Sequence, residues 1–180
     1  MSNMAAQTTI RCRFRPAGVA QMFPTAVPTD EAVKRVLEVL LSATLLVIVM
    51  PVMVVLGLAV RATSPGPVFF RQRRLGRGGR EFWCYNFRTM GADAEAQLRQ
   101  RCDLQAQFAA NFKIRDDPRV TRLGAVLRKT RLDELPQLWN VLMGDLSVIG
   151  PRPIVPHELE KYGPDAQTLL SVKPGLGGIW

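Results

Sequence analysis

The 180-residue chain has a single histidine, His157, and three cysteines, Cys12, Cys84 and Cys102, with no Cys-x-x-Cys pair among them. That scarcity excludes a Cys/His zinc centre and a disulfide framework. Three free thiols fit a reducing compartment. Acid is also scarce: 15 Asp and Glu stand against 24 Lys and Arg, a formal net charge of +9. The partner of so basic a chain is anionic: nucleic acid, lipid headgroups or phosphorylated substrates. No internal repeat or low-complexity tract is present, and the length allows one domain with a short accessory element rather than two catalytic domains. Charge of either sign is missing from Val39 to Val60.

That uncharged run of 22 residues is about 33 Å as straight helix, against a hydrocarbon core of about 30 Å. Length alone predicts one transmembrane span. Pro51 lies near its middle, where it removes a backbone hydrogen bond and predicts a kink. Lys34 and Arg35 precede the run and Arg61, Arg71, Arg73 and Arg74 follow it, so the positive-inside rule draws both ends to the cytoplasm. A helix broken at Pro51 that returns to its own side meets that preference, whereas a straight span does not; the residues alone leave both open. From Arg61 to Arg88 there are seven arginines and one acid, Glu81. Beside an apolar run, such a cluster favours lipid headgroups and phosphate over nucleic acid. Residues 1–30 read as a flexible basic extension, too far from the run to be a signal-peptide flank, with Thr29 or Asp30 capping the helix that follows.

From Thr63 the pattern becomes that of a soluble, α-rich domain with a little strand. Ser64-Pro65-Gly66-Pro67 is a breaker cluster. Val68 to Phe70 and Glu81 to Phe87 read as two short strands joined across Gly76 and Gly78-Gly79 in a hairpin-like connection. Helices are predicted over Ala92 to Phe112, Val120 to Lys129 and Leu132 to Met143. His157 reads as a solvated residue at a helix start.

The chemistry concentrates in Arg128-Lys129-Thr130-Arg131-Leu132-Asp133-Glu134-Leu135-Pro136. Proline is tolerated only in the first turn of a helix, so Asp133 and Glu134 fall at a helix N-terminus. The free N–H groups and the neighbouring cations there are expected to keep Asp133 ionised, as a nucleophile or metal ligand requires, and can also hold a diphosphate. In an arbitrary chain the same pair is more often only an N-cap and a first-turn acid. Downstream, Arg152 is held between Pro151 and Pro153, which restrict its backbone and present its guanidinium at little entropic cost. Asp145 is either a third active-site acid or a turn cap.

The run LDELPQLWNVLMGDLSVIGPRP, with SPGPVFFRQRRLG, FRTM, DPRVTRLGAVLRKT and VKPGLGG, resembles the bacterial sugar transferase family, the monotopic polyprenyl-phosphate phosphoglycosyl transferases. The resemblance extends from about Val33 to the C-terminus. It implies an α-rich (α+β) monotopic membrane protein: a re-entrant membrane helix hairpin over 31–62 kinked at Pro51, and a small cytoplasmic catalytic domain over 63–180 that is C-terminally incomplete. It further implies a ping-pong reaction in which Asp133 attacks the β-phosphate of a UDP-sugar, releases UMP, and passes the phosphosugar to undecaprenyl phosphate. Glu134, with Asp133, would hold the required Mg²⁺, while Arg128 and Arg152 match the phosphate-contacting arginines. The expected place is the cytoplasmic face of the bacterial inner membrane, the expected pathway exopolysaccharide initiation with galactose- or glucose-phosphate, and the expected partners include membrane lipids but no nucleic acid, with a homodimer left open. An inactive scaffold of polysaccharide assembly is the alternative. The chain departs from the family pattern at Met50, where serine is usual before the proline, at Asn86, where lysine is common, and at Arg131, where serine is frequent.

Overall fold

The computed structural model describes residues 28–101, 105, 114 and 117–178. The basic extension up to residue 27, Cys12, Cys102 and most of the predicted helix beyond Arg101 lie outside them. Helix α1, Pro28–Thr63, contains the whole uncharged run. It leads to an antiparallel hairpin of β1, Phe69–Leu75, and β2, Glu81–Phe87. Helices α2, Ala94–Gln100, α3, Arg122–Thr130, and α4, Gln137–Met143, follow. Strand β3, Ser147–Ile149, pairs in parallel with β4, Gly175–Gly177; a 3-10 segment, Pro156–Asp165, and helix α5, Ala166–Ser171, lie between them.

Helical structure runs without interruption across Pro51. One lost hydrogen bond does not divide a helix whose flanking turns stay bonded, so α1 is one 36-residue element rather than two helices joined by a turn. One face of it is docked on the domain from end to end. Near its start, Arg35 donates to the Val141 and Leu142 carbonyls at the C-terminal end of α4, at 2.7 Å each, and Glu38 accepts from the Ser147 hydroxyl. Midway, Ser42 is fully buried and Leu45 and Val49 face Leu135 and Leu138 across a cavity. Toward its end, Met53, Leu56 and Val60 join the core of Phe87 and Leu127. These residues recur every three or four positions, which places them on one helical stripe. The opposite face is apolar and bare, with Val47, Ile48 and Leu58 about two-thirds or more exposed.

A second cluster, Phe82, Cys84, Val141 and Leu146, joins β2 to α4. Each large apolar side chain buried in these clusters contributes about 1.5–3 kcal/mol. The hairpin is the predicted one, with Gly78 and Gly79 at positive φ in its turn, but β1 is longer than expected. Register with β2 carries it through Arg71, Arg73 and Arg74. Asn140 locks α4 to the hairpin: its amide donates to the Trp83 carbonyl at 2.7 Å and accepts from the Tyr85 N–H at 3.1 Å.

Candidate active site

Helix α3 ends at Arg131, the one non-glycine residue with positive φ (59°) among the described residues, whose N–H reaches the Arg128 and Leu127 carbonyls. The chain then makes a 3-10 turn, Leu132–Glu134, before Pro136 caps α4. Pro136 thus sits at a helix start as predicted, but the carboxylates lie one turn upstream of that helix rather than in it. Leu132 and Leu135 sink into the core with Leu127, and this fixes where the intervening Asp133 and Glu134 go.

Both acids line an open cavity of about 390 Å³ with Arg74, Arg128, Arg131 and Arg152. Sequence reasoning placed Asp133, Glu134, Arg128 and Arg152 at one site, and the fold brings all four to this cavity. Asp133 is only 8% exposed, and its buried Oδ1 has no hydrogen-bond partner among the described residues. Its pKa is raised, first by burial and then by Glu134, against the opposing pull of its own backbone N–H, Arg128 and Arg131. This reverses the expected direction, because desolvation outweighs the N–H groups and cations that favour the charged form. Glu134 is more open and pairs with Arg131 at 3.0 Å. Arg128 is steadied by donating to the Thr89 hydroxyl at 2.9 Å, whereas Arg152 presents an exposed side chain from its proline-bounded loop.

Four lining residues, Arg74, Cys84, Asn86 and Gln137, were not among the predicted site residues. Arg74 belongs to the basic cluster read as meeting lipid headgroups or phosphate; it turns inward and donates to the Pro153 carbonyl at 2.6 Å, with its pKa lowered mainly by burial. Arg71 and Arg73 instead lie over the Trp83 ring, each 5.0 Å from its centroid. Strand parity held the missing signal: Arg74 is one residue out of phase with Arg71 and Arg73, and in phase with Gln72, the register partner of Cys84. Burial raises the Cys84 thiol to about 11. Asn86 accepts from Gln137 at 2.9 Å. Asp145 does not line the cavity; its N–H donates to the Asn140 carbonyl in the turn after α4, which is the turn role. His157 is an exposed residue in the first turn of the 3-10 segment.

The far wall is formed by Gly175 and Leu176. A Cβ on Gly175 would collide with the Gly150 backbone, so β4 can pass this close to the Arg152 loop only without a side chain. Among the described residues no group of three His, Cys, Asp or Glu side chains could form a metal cage. Two adjacent carboxylates, one with a buried unpaired oxygen, do fit Mg²⁺, which takes one or two protein carboxylates and completes its shell with substrate phosphate and water.

The chain matches the bacterial sugar transferase family over residues 29–180. It is 42% identical over 151 residues to an undecaprenyl-phosphate galactose phosphotransferase of Salmonella typhimurium, covering 82% of this chain and 32% of that protein. It is 40% identical over 157 residues to the exopolysaccharide production protein ExoY of Rhizobium meliloti, covering 85% of this chain and 70% of the relative. A UDP-N-acetylgalactosamine-undecaprenyl-phosphate N-acetylgalactosaminephosphotransferase of Aeromonas hydrophila is 37% identical over 154 residues, which are 84% of this chain and 34% of that protein. The chain spans about a third of the length of two of these relatives. A family match over residues 29–180 shows that the chain belongs to the bacterial sugar transferase family.

Proposed function

We propose that the chain transfers a sugar phosphate from a UDP-sugar to undecaprenyl phosphate through a covalent intermediate on Asp133. The observation that carries this reading is the Asp133 carboxylate itself, buried and with an unpaired oxygen, in a cavity walled by four arginines. A structural carboxylate at that depth would be paired. One kept without a partner among cations is ready for an electrophile that brings its own negative charge.

In the first step an Asp133 oxygen bonds to the β-phosphorus of the donor, the bond from that phosphorus to the bridging oxygen breaks, and UMP leaves with the electron pair. In the second, an oxygen of undecaprenyl phosphate bonds to the same phosphorus and the Asp133 carboxylate is released, giving the lipid-linked sugar diphosphate. Arg128 and Arg152 bind and orient the diphosphate, and Arg74 adds charge from below. Mg²⁺ held by Asp133 and Glu134 would neutralise phosphate oxygens as the nucleophile approaches. The donor sugar is galactose, glucose or an N-acetylated relative, and the product starts an exopolysaccharide or related glycan.

The same reading places the chain on the cytoplasmic face of the inner membrane, with α1 bent at Pro51 and re-entrant. Helix α1 is long and apolar enough to cross a bilayer, but its inner stripe is docked on the domain throughout, with Arg131 and Glu134 at the level of Leu45 and Val49. A straight crossing would carry those charges to mid-bilayer, at a cost of about 2.5–3.5 kcal/mol each by insertion scales. Lying with its bare face in one leaflet, α1 keeps both ends beside the domain. An inactive scaffold has no observation in its favour. The test is UMP release from a panel of UDP-sugars with undecaprenyl phosphate and Mg²⁺. Release with one donor, abolished by EDTA, supports the reading; no release with any donor sinks it.

A further inference from the structure

A second cavity, about 460 Å³, opens between the middle of α1 and the far side of the Asp133-bearing turn. Its walls are Leu45 and Val49 of α1, Leu135 and Leu138 below the turn, and the Leu176 to Gly178 segment. It touches the donor cavity at three residues: Arg131, Glu134 and Leu176 line both. The two spaces differ in chemistry. Four arginines line the first, whereas the second has an apolar lining with Arg131 as its one cation. It also begins at α1, whose outer face is bare apolar surface.

We propose that this second cavity admits the acceptor: the isoprenoid chain lies against Leu45, Val49, Leu135 and Leu138, and Arg131 receives the lipid phosphate at the junction. The inference rests on the transferase reading and assigns its second substrate a separate door. A polyprenyl phosphate has a long apolar tail and a dianionic head, and here an apolar trough ends at a single guanidinium beside the reactive carboxylate. The donor diphosphate is met from the other side by Arg128 and Arg152. Two doors to one carboxylate suit a ping-pong sequence, because the lipid reaches the phosphosugar without crossing the space that UMP vacates. Arg131 is held at positive φ, so its side chain leaves the corner between α3 and the catalytic turn rather than continuing the helix. In the free protein it pairs with Glu134 at 3.0 Å. An arriving phosphate competes with that carboxylate for the guanidinium and frees it toward the donor side.

The experiment uses the full chain in nanodiscs. Val49→Trp fills the trough, and Leu40→Trp, on the bare outer face (Leu40 60% exposed), is the control. Val49→Trp should raise the KM for undecaprenyl phosphate about tenfold or more with little change in the KM for the UDP-sugar. Leu40→Trp should match the wild type throughout. An unchanged acceptor KM in Val49→Trp, or equal rises in both KM values, would overturn the assignment. Should Val49→Trp fail to fold, the wild-type chain decides: a diazirine placed mid-chain in the polyprenyl phosphate should crosslink to peptides containing Leu45, Val49 or Leu138. Crosslinking confined to the outer face of α1 would overturn the inference while leaving UMP release intact. A wild-type chain that releases no UMP would fail the transferase reading first, and the two failures are thereby told apart.

Discussion

At the scale of single residues, the account separates neighbours that look alike. Asp133→Asn should abolish UMP release, whereas Glu134→Gln should keep part of it and recover further at high Mg²⁺, read in a steady-state assay across metal concentration. Because burial raises the Asp133 pKa, folding favours its neutral form relative to the unfolded chain. That contribution to stability is fully present below the unfolded value of about 3.9 and is lost as pH rises through the folded value. Asp133→Asn, neutral at every pH, should therefore melt at higher temperature than the wild type at pH 7, with the gap closing below about pH 3.9; a lower melting temperature at pH 7 would contradict the burial argument. Cys84 is the other nucleophile type in the cavity, but with its thiol near 11 it stays protonated at neutral pH, and Cys84→Ala should release UMP within about threefold of the wild type. Arg152→Ala should lower kcat/KM at least tenfold and Arg73→Ala less than twofold, since Arg73 is occupied with Glu81 at 3.1 Å and with Trp83, away from the phosphates. Equal losses would mislocate the phosphate site. Asp133 and Glu134 were legible from Pro136, and Arg152 from Pro151 and Pro153, which fix the local backbone; Arg128 was legible from the family resemblance. The sequence did not reveal the direction of the Asp133 shift, which depends on how deeply Leu132 and Leu135 draw the turn into the core.

At the scale of elements, the docking of α1 decides whether the second cavity keeps its wall of Leu45 and Val49. Arg35 meets two carbonyls at the end of α4, a charged pair of hydrogen bonds reinforced by the negative end of that helix. Arg35→Met should cost about 1.5–3 kcal/mol of stability, seen as a lower melting temperature in detergent and faster proteolysis near the start of α1; an unchanged melting curve would show that the apolar stripe alone holds the helix. Helix α3, the later part of the predicted Leu132–Met143 helix and the hairpin were legible from periodicity and glycine punctuation. The β3–β4 pair was not, because strands of three residues, one of them Gly-Leu-Gly, carry no alternation; what joins them is the close passage of Gly150 and Gly175, a tertiary event. Residues 156–171 were missed for a related reason: a 3-10 segment interrupted by Gly163 and Pro164 lacks the 3.6-residue period that marks a helix.

At the scale of the whole molecule, the fold sets a domain along one face of a helix whose other face is apolar, and Glu134 lies at the level of Leu45 and Val49 on the docked face. A helix-rich chain with one long apolar helix was readable because charge, apolar run and motifs agree in order along the chain. The docked stripe was not, since a run apolar all round conceals which face meets protein. If both ends of α1 stay on the domain's side, a cysteine placed in the extension before α1, in a chain otherwise free of cysteine, should resist a membrane-impermeant maleimide in intact cells and react after lysis. Reaction in intact cells would restore the straight span. The covalent step is tested most directly by mass spectrometry of the protein mixed with UDP-sugar and Mg²⁺ without lipid acceptor. The account predicts one hexose-phosphate or N-acetylhexosamine-phosphate adduct on the peptide containing Asp133, formed with an equivalent of UMP, absent in Asp133→Asn and discharged by undecaprenyl phosphate. An adduct on Glu134 or Cys84, or turnover that is strictly sequential with no adduct, would contradict it.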